Sequence, residues 1–327
     1  MTIYCLDRDA VHTYFDQSLA PVLVVHPGDT VVCKTLESSG GAAARTLLAK
    51  SDTSIPADLF EIIMASGNPE VAMPMRGHPL TGPVHVIGAE PGDTLVVSIC
   101  AIETGLWGWT AVRAGGGLLG EEAIERTLHY WDLRHTNYTE FAPHIRIPIE
   151  PFCGVMGVAP EMPGMLPTTP PRNSGGNMDV RQLVVGSTLW LPIFVRGALF
   201  SVGDVHAAQG DGEVCGSGIE CDATVTLHFD LLKGRAISEP QFLTRGPIAP
   251  RTDCGRHFAA TGHDSDIFKA SRTALRGVID YLEREHGISR THSCILASAC
   301  VDLHISQIVN ANICTVTAFL PLSIFDW

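Results

Sequence analysis

The sequence reads as a mainly β protein with an α+β tail, and three observations carry that reading. Glycine (32) and proline (21) recur between short β-branched runs, the punctuation of strands joined by tight turns. A strand–turn–strand unit built around Pro-Gly occurs twice in the first hundred residues. The last third switches to an apolar repeat of helical period. With 327 residues the chain makes two domains or one large β-rich one. It divides into an N-terminal β-rich part (1–160), a central β part carrying a Gly-rich acidic loop (161–250) and a C-terminal α+β segment (251–327).

The first unit runs from Pro21 through Pro27-Gly28-Asp29 to Val32. Proline presets φ at the second turn position and glycine supplies φ > 0 at the third, as a type II turn requires. The second unit, Pro83 to Val97, repeats it around Glu90-Pro91-Gly92-Asp93, and the run from Met75 to Pro83 is a loop leading into it. Both units belong to one sandwich or barrel. Residues 160–177 carry five prolines and then Gly175-Gly176-Asn177, so they form a long connecting loop. Leu183 to Leu191, Phe194 to Val202 and Thr224 to Leu231 continue the strand pattern. Leu275, Val278, Ile279 and Leu282, with Phe268 ahead of them, predict a helix over 267–286 capped by Asp266 and Gly287. Ser289 opens a second helix through about Leu303, and Ile313 to Phe319 returns to strand.

Composition narrows the function. A chain with 45% apolar and 17% charged residues buries a core and is not a disordered one. Its formal net charge of −13, without a basic run, repels phosphate backbones, so nucleic acid is not an expected partner. The ten cysteines are scattered with no C-x-x-C pair and read as buried thiols in a reducing compartment, the cytoplasm. The most apolar stretch, Leu183 to Val202, is broken by Gly186, Pro192, Arg196 and Gly197, so no membrane span is expected.

The densest set of polar groups is Gly203-Asp204-Val205-His206-Ala207-Ala208-Gln209-Gly210-Asp211-Gly212-Glu213. On a strand, Asp204 and His206 share a face, because side chains repeat every two residues. Asp211 and Glu213 make a second such pair, and the three glycines let the backbone approach a ligand closely. Imidazole with carboxylates suits a divalent metal such as zinc. The same residues equally describe a tight surface loop with solvated acids. Gly175-Gly176-Asn177-Met178-Asp179 is a second candidate, with an ordinary turn as its alternative. Glu90 on its turn reads as solvated. G-x-S-x-G, Walker A and H-E-x-x-H motifs are all missing.

Several stretches together are similar to the acetamidase/formamidase family: Gly88-Ala89-Glu90-Pro91-Gly92-Asp93-Thr94-Leu95, Pro151 to Pro160, Gly175 to Asp179, Gly197 to Asp204, Gly218-Ile219-Glu220, and Asp302 to Asn310. The matches span residues 12–325 in family order. The resemblance implies hydrolysis of short aliphatic amides to a carboxylate and ammonia. It also implies a β-sandwich body, a smaller β-barrel-like part with C-terminal helices, and a homo-oligomer, dimer or higher. On this basis Glu37, Asp179, His206 and Asp211 are the expected ligands of a divalent metal, zinc or alternatively calcium. Asp179 or Glu213 is the expected base toward water, and Glu90 the acid that protonates the departing nitrogen. The chain departs from the family pattern in having Glu37 where Asp is usual, His78-Pro79 where Asn-Pro is expected, and Val205 where Gly is commoner. The alternatives are a hydrolase of another linear C–N substrate and a small-ligand-binding protein on the same scaffold.

Overall fold

The computed structural model describes residues 1–49, 55–65, 77–122, 124–248 and 255–325; Met75, Arg76 and Cys254 lie outside them. In chain order the strands are β1 (Ile3–Leu6), β2 (Val11–His12), β3 (Tyr14–Phe15), β4 (Leu23–Val25), β5 (Thr30–Thr35), β6 (Leu80–Val86), β7 (Thr94–Val112), β8 (Thr127–Asp132), β9 (Tyr138–Ala142), β10 (Ile145–Pro148), β11 (Phe152–Gly157), β12 (Leu166–Pro167), β13 (Gly175–Asn177), β14 (Thr188–Pro192), β15 (Phe200–His206), β16 (Glu220–Leu232), β17 (Gln241–Leu243), β18 (His257–Asp264), β19 (Asp302–Asn310) and β20 (Ile313–Pro321). The α-helices are α1 (Ala42–Ala49), α2 (Ala57–Ala65), α3 (Ile267–His286) and α4 (Arg290–Cys300) among the described residues. The chain is mainly β with C-terminal helices, and the described residues form no closed barrel.

The chain gathers into two compact units from non-contiguous pieces. One comprises Met1–Trp107, Pro151–His206 and Glu220–Ile248; the other comprises Gly108–Glu150, Ala207–Ile219 and Ala249–Trp327. This grouping differs from a linear division at 160 and 250, because the chain leaves the first unit twice and returns to it.

The first unit is built on a branched sheet with the path β13-β11-β15-β16-β7-β14-β17. From it β5 pairs with β16 and β1, and β6 pairs with β15, β2 and β4. Fully buried Val31, Val84, Leu95, Val97, Phe200 and Phe229 form part of its core. Both Pro-Gly units are turns of the expected kind. Gly28 (φ 92) and Gly92 (φ 91) occupy the third position. The fourth residue's N–H closes each turn, Asp29 to His26 O at 3.1 Å and Asp93 to Glu90 O at 3.0 Å. Each aspartate also accepts from the N–H of the first turn residue, His26 at 3.0 Å and Glu90 at 2.9 Å. The Leu183 to Val202 stretch is less regular than its composition suggests. Strand is confined to β14 and the start of β15, while Ala198 (φ 61) and Leu199 (φ 56) turn the chain between them.

In the second unit α3 lies on the three-stranded sheet β18-β20-β19. Asp266 caps its start by accepting from Phe268 N, and Gly287 ends it at φ 64. Leu275, Val278, Ile279 and Leu282 are buried, but Phe268 is exposed, sitting in the first turn before the buried face begins. Close approach of helix and sheet depends on Gly262, where a Cβ would lie 2.0 Å from Ala270 O. The second helix starts at the Ser289 cap as expected but ends at Cys300 rather than Leu303, because Asp302 and Leu303 already pair in β19 with Phe319 and Ala318. Six of the nine described cysteines are buried, Cys5 and Cys100 are exposed, Cys314 is half-buried, and none of the nine is in a disulfide.

Candidate functional site

The site of interest arises where the sheet of the first unit forks. Along one edge β15 pairs with β11, from Phe152↔His206 to Gly157↔Ser201. Along the other edge it pairs with β6 as far as Gly203 and with β16 from Val205 onward. Asp204 is the residue at the changeover. The ladders stop at Gly203 and resume at Val205, and Asp204 takes the left-handed conformation (φ 54) that non-glycine residues seldom adopt. A kink at this point, two residues before the strand ends, leaves its carboxylate beside the imidazole of His206.

Around that pair the residues assemble from four segments. Asp204 Oδ1 lies 3.4 Å from His206 Nε2, and Glu220 Oε2 lies 3.1 Å from the same nitrogen. Glu220 gets there as the cross-strand neighbour of His206 in the β15–β16 ladder. Asp179 follows the short strand β13; its N–H donates to Gly154 O at 3.2 Å and it too is left-handed (φ 49). One ligand atom each from Asp179, Asp204 and His206 falls within 4.8 Å of the others. On the far side His78 Nδ1 sits 3.3 Å from Asp204 Oδ2. Gly154 faces the group from β11: a Cβ there would stand 2.5 Å from Asp179 Oδ1 and 2.9 Å from Asp204 Oδ2.

Burial governs the electrostatics. Asp204, His206 and Glu220 are 2%, 0% and 3% exposed. Burial pushes the Glu220 carboxyl up, against the pull of His206. For His206 burial opposes the charge, yet Glu220 and Asp204 hold its proton and raise it well above the usual imidazole range. Burial works against the Asp204 charge as well, but His78 and then His206 outweigh it and hold that carboxyl well below the ordinary range. Such a set of buried acids is costly unless cations compensate it.

These residues fit a divalent cation. Carboxylate oxygens with one imidazole are donors suited to zinc, and a set richer in carboxylate also suits calcium. The bare Cα of Gly154 lets β11 pack directly against the carboxylates of Asp179 and Asp204.

The expected site residues do not all fall at the fork. Asp179 and His206 converge, as does the Asp204–His206 pair that strand alternation places on one face. Glu37 does not join them. Its buried carboxylate accepts from Ser39 N and Ser39 Oγ, both at 2.7 Å, and from Gly41 N, so it stabilises the turn that opens α1. Its own N–H donates to Asp222 Oδ1 at 2.7 Å. Asp211 lies in the second unit, grouped with Asp302 and His304, and its N–H donates to Asp302 Oδ1 at 2.9 Å. Glu213 sits at φ 42 inside a turn closed by Gly216 N on its carbonyl at 2.7 Å, and one ligand atom each from His206, Glu213 and Glu220 falls within 4.8 Å of the others. Glu90 stays on its Pro-Gly turn, half-exposed, with Arg196 Nε 3.4 Å from its carboxylate.

The glycines of the 203–213 segment serve packing rather than ligand approach. A Cβ at Gly203 would meet Pro79 O at 2.6 Å, and one at Gly210 would meet Val301 O at 2.0 Å. Glu220, His78 and Gly154 are the members that residue spacing does not reveal. Glu220 and Gly154 are visible only as parts of family-like stretches, and His78 only as a departure next to one.

Comparison with known proteins bears on this site. The profile of the Acetamidase/Formamidase family matches residues 5–166 and 163–327. A formamidase of Methylophilus methylotrophus is 28% identical over 385 residues, covering 97% of this chain and 90% of its own. Among solved structures, a gamma lactamase from Delftia acidovorans superposes with a TM-score of 0.82 at 26% identity, covering 98% of this chain and 90% of the other. An acetamidase from Bacillus halodurans superposes with a TM-score of 0.60 at 28% identity, covering 98% of both chains.

Proposed function

The chain belongs to the acetamidase/formamidase family, and from that membership we propose that it hydrolyses short amides to a carboxylate and ammonia at the fork of the β15 strand. The observation that carries the placement is the convergence of Asp179, Asp204 and His206, with Glu220, against a position 154 so close to two of the carboxylates that only glycine fits. Asp179, Asp204 and His206 are the residues that would hold a divalent cation, zinc in the first instance. Bound there, it would supply Lewis acidity toward the amide oxygen and a lowered pKa for water.

The chain's own groups account for the proton traffic. Asp179 is half-buried where Asp204, His206 and Glu220 are fully buried, so its carboxylate is the one that receives the proton of an entering water. Amide nitrogen departs poorly unless protonated. Glu220, set beside Asp204 and His206 with its carboxyl raised by burial, is the group assigned to deliver that proton. Glu90, held on its turn against Arg196, takes no part in this scheme. We place the enzyme in the reducing cytoplasm, in keeping with the nine described thiols and their lack of disulfides, and read it as a homo-oligomer from its family resemblance.

The gamma lactamase among its structural relatives supports a second substrate reading, a compact cyclic amide. Ammonia release from formamide, acetamide and propionamide, and ring opening of 2-pyrrolidinone, are measured before and after chelation with metal add-back. Chelator-sensitive turnover restored by metal supports the reading. Turnover indifferent to chelation removes the metal from it, and no turnover on any of the four removes amide hydrolysis.

A further inference from the structure

A cavity of about 290 Å³ in the first unit is lined by Arg8, Ile62, Ala65, Leu106, Trp107 and Asp222, with Gly105 between them. Its size sits at the lower edge of the range of small-molecule sites, and its make-up is that of such a site: apolar and aromatic walls with few polar groups. The polar groups are one pair. Arg8 Nη1 stands 3.2 Å from Asp222 Oδ2, and Asp222 is 94% buried while Arg8 is about one-third exposed. Strand β16 carries one residue of the fork and one of the cavity. Glu220 and Asp222 are two residues apart on that strand, so their side chains share a face, with Cβ atoms about 7 Å apart. That is one small-molecule length.

We propose that this cavity receives the non-reacting part of the substrate, so that the preferred substrates are neutral amides whose acyl portion is apolar and larger than acetyl. The inference rests on the amidase reading. A site of this volume is far larger than formamide needs. Trp107 and Ile62 offer apolar area, and the Arg8–Asp222 pair, neutral as a whole, gives an ionised substituent no net attraction. Each buried methylene is worth roughly a fourfold gain in kcat/KM.

The test compares kcat/KM for formamide and butyramide in the wild type and in Ala65→Phe, which fills the cavity from an exposed position on α2; Leu106→Trp, also at an exposed position, is the second variant. Wild type is expected to favour butyramide by about 10- to 100-fold over formamide. Either variant is expected to lower that ratio at least tenfold while the circular dichroism spectrum is kept. A wild-type ratio at or below one, or a ratio that both variants leave untouched, overturns the proposal. Calorimetric binding of butyramide separates the two readings. If neither amide is hydrolysed but butyramide binds wild type and not Ala65→Phe, the cavity keeps its ligand and the amidase reading fails. If butyramide neither reacts nor binds, both fail.

Discussion

Asp204 holds a left-handed backbone at the fork, a conformation that costs a non-glycine residue on the order of 1–3 kcal/mol. The carboxylate it aims at His206 is the one the proposed site uses. Asp204→Gly should therefore keep or raise the melting temperature while amide hydrolysis falls at least a hundredfold; a melting temperature lowered by several degrees would contradict the strain argument. Gly154 makes the complementary case. Gly154→Ala brings a methyl against two carboxylates and the backbone oxygen of Asp204, and should cost at least tenfold in metal affinity, read by chelator competition, together with a lowered melting temperature. At this scale the sequence was partly legible. Asp204 and His206 are visible as ligand types two apart, while the left-handed kink that brings them together is not. Glu37 misled because a buried acid near the site in family order turned out to be saturated by Ser39 and Gly41. Asp211 misled because its partners, Asp302 and His304, lie some ninety positions away.

Elements whose signals are local came through with their ends in place. The helix over 267–286 is announced by Asp266, by the spacing of its buried residues and by Gly287, and it forms with those caps. Asp266→Ala should lower stability by about 1 kcal/mol, seen as a shift in the urea midpoint without a change in slope. The two Pro-Gly turns are equally local, and their aspartates do more than spacing shows. Asp93 accepts from Glu90 N and Gly234 N, and Lys233 Nζ lies against it, so it ties β7 to the end of β16. Asp93→Ala should cost about 2 kcal/mol, since it leaves two backbone donors without their acceptor. A cost under about half of that would mean water replaces it. What was not legible was the end of the second helix and the breaks within 183–202. Both are decided by strand pairing with residues distant in sequence, which overrides local apolar composition.

At the scale of the molecule, one histidine in each compact unit, apart from the fork, packs where its charged form is disfavoured. His12, in the first, is bonded through Nδ1 to Tyr14 O at 2.7 Å and through Nε2 to Ser201 Oγ at 2.8 Å. His129, in the second, packs against Trp131 and Phe141. Burial lowers both to about 4 from the usual 6.5. A depressed pKa favours the neutral form in the folded state. The stability is therefore intact above pH 6.5 and lost as the pH falls toward 4, by about 3 kcal/mol for each histidine. Urea unfolding at pH 7.0 and 4.5 should show both units weakened; a stability independent of pH over this range would refute it. The mainly β class was readable from glycine, proline and β-branched patterning, whereas the interleaving of the two units was not, because no composition shift marks Trp107, His206 or Glu220 as crossing points. The most direct test of the whole account is to measure ammonia release and bound metal on the same samples of wild type and His206→Ala, with folding checked by circular dichroism. His206→Ala is expected to remain folded and to lose at least a hundredfold in amide hydrolysis together with its metal. A folded His206→Ala that hydrolyses amides at the wild-type rate would show that the chemistry lies elsewhere.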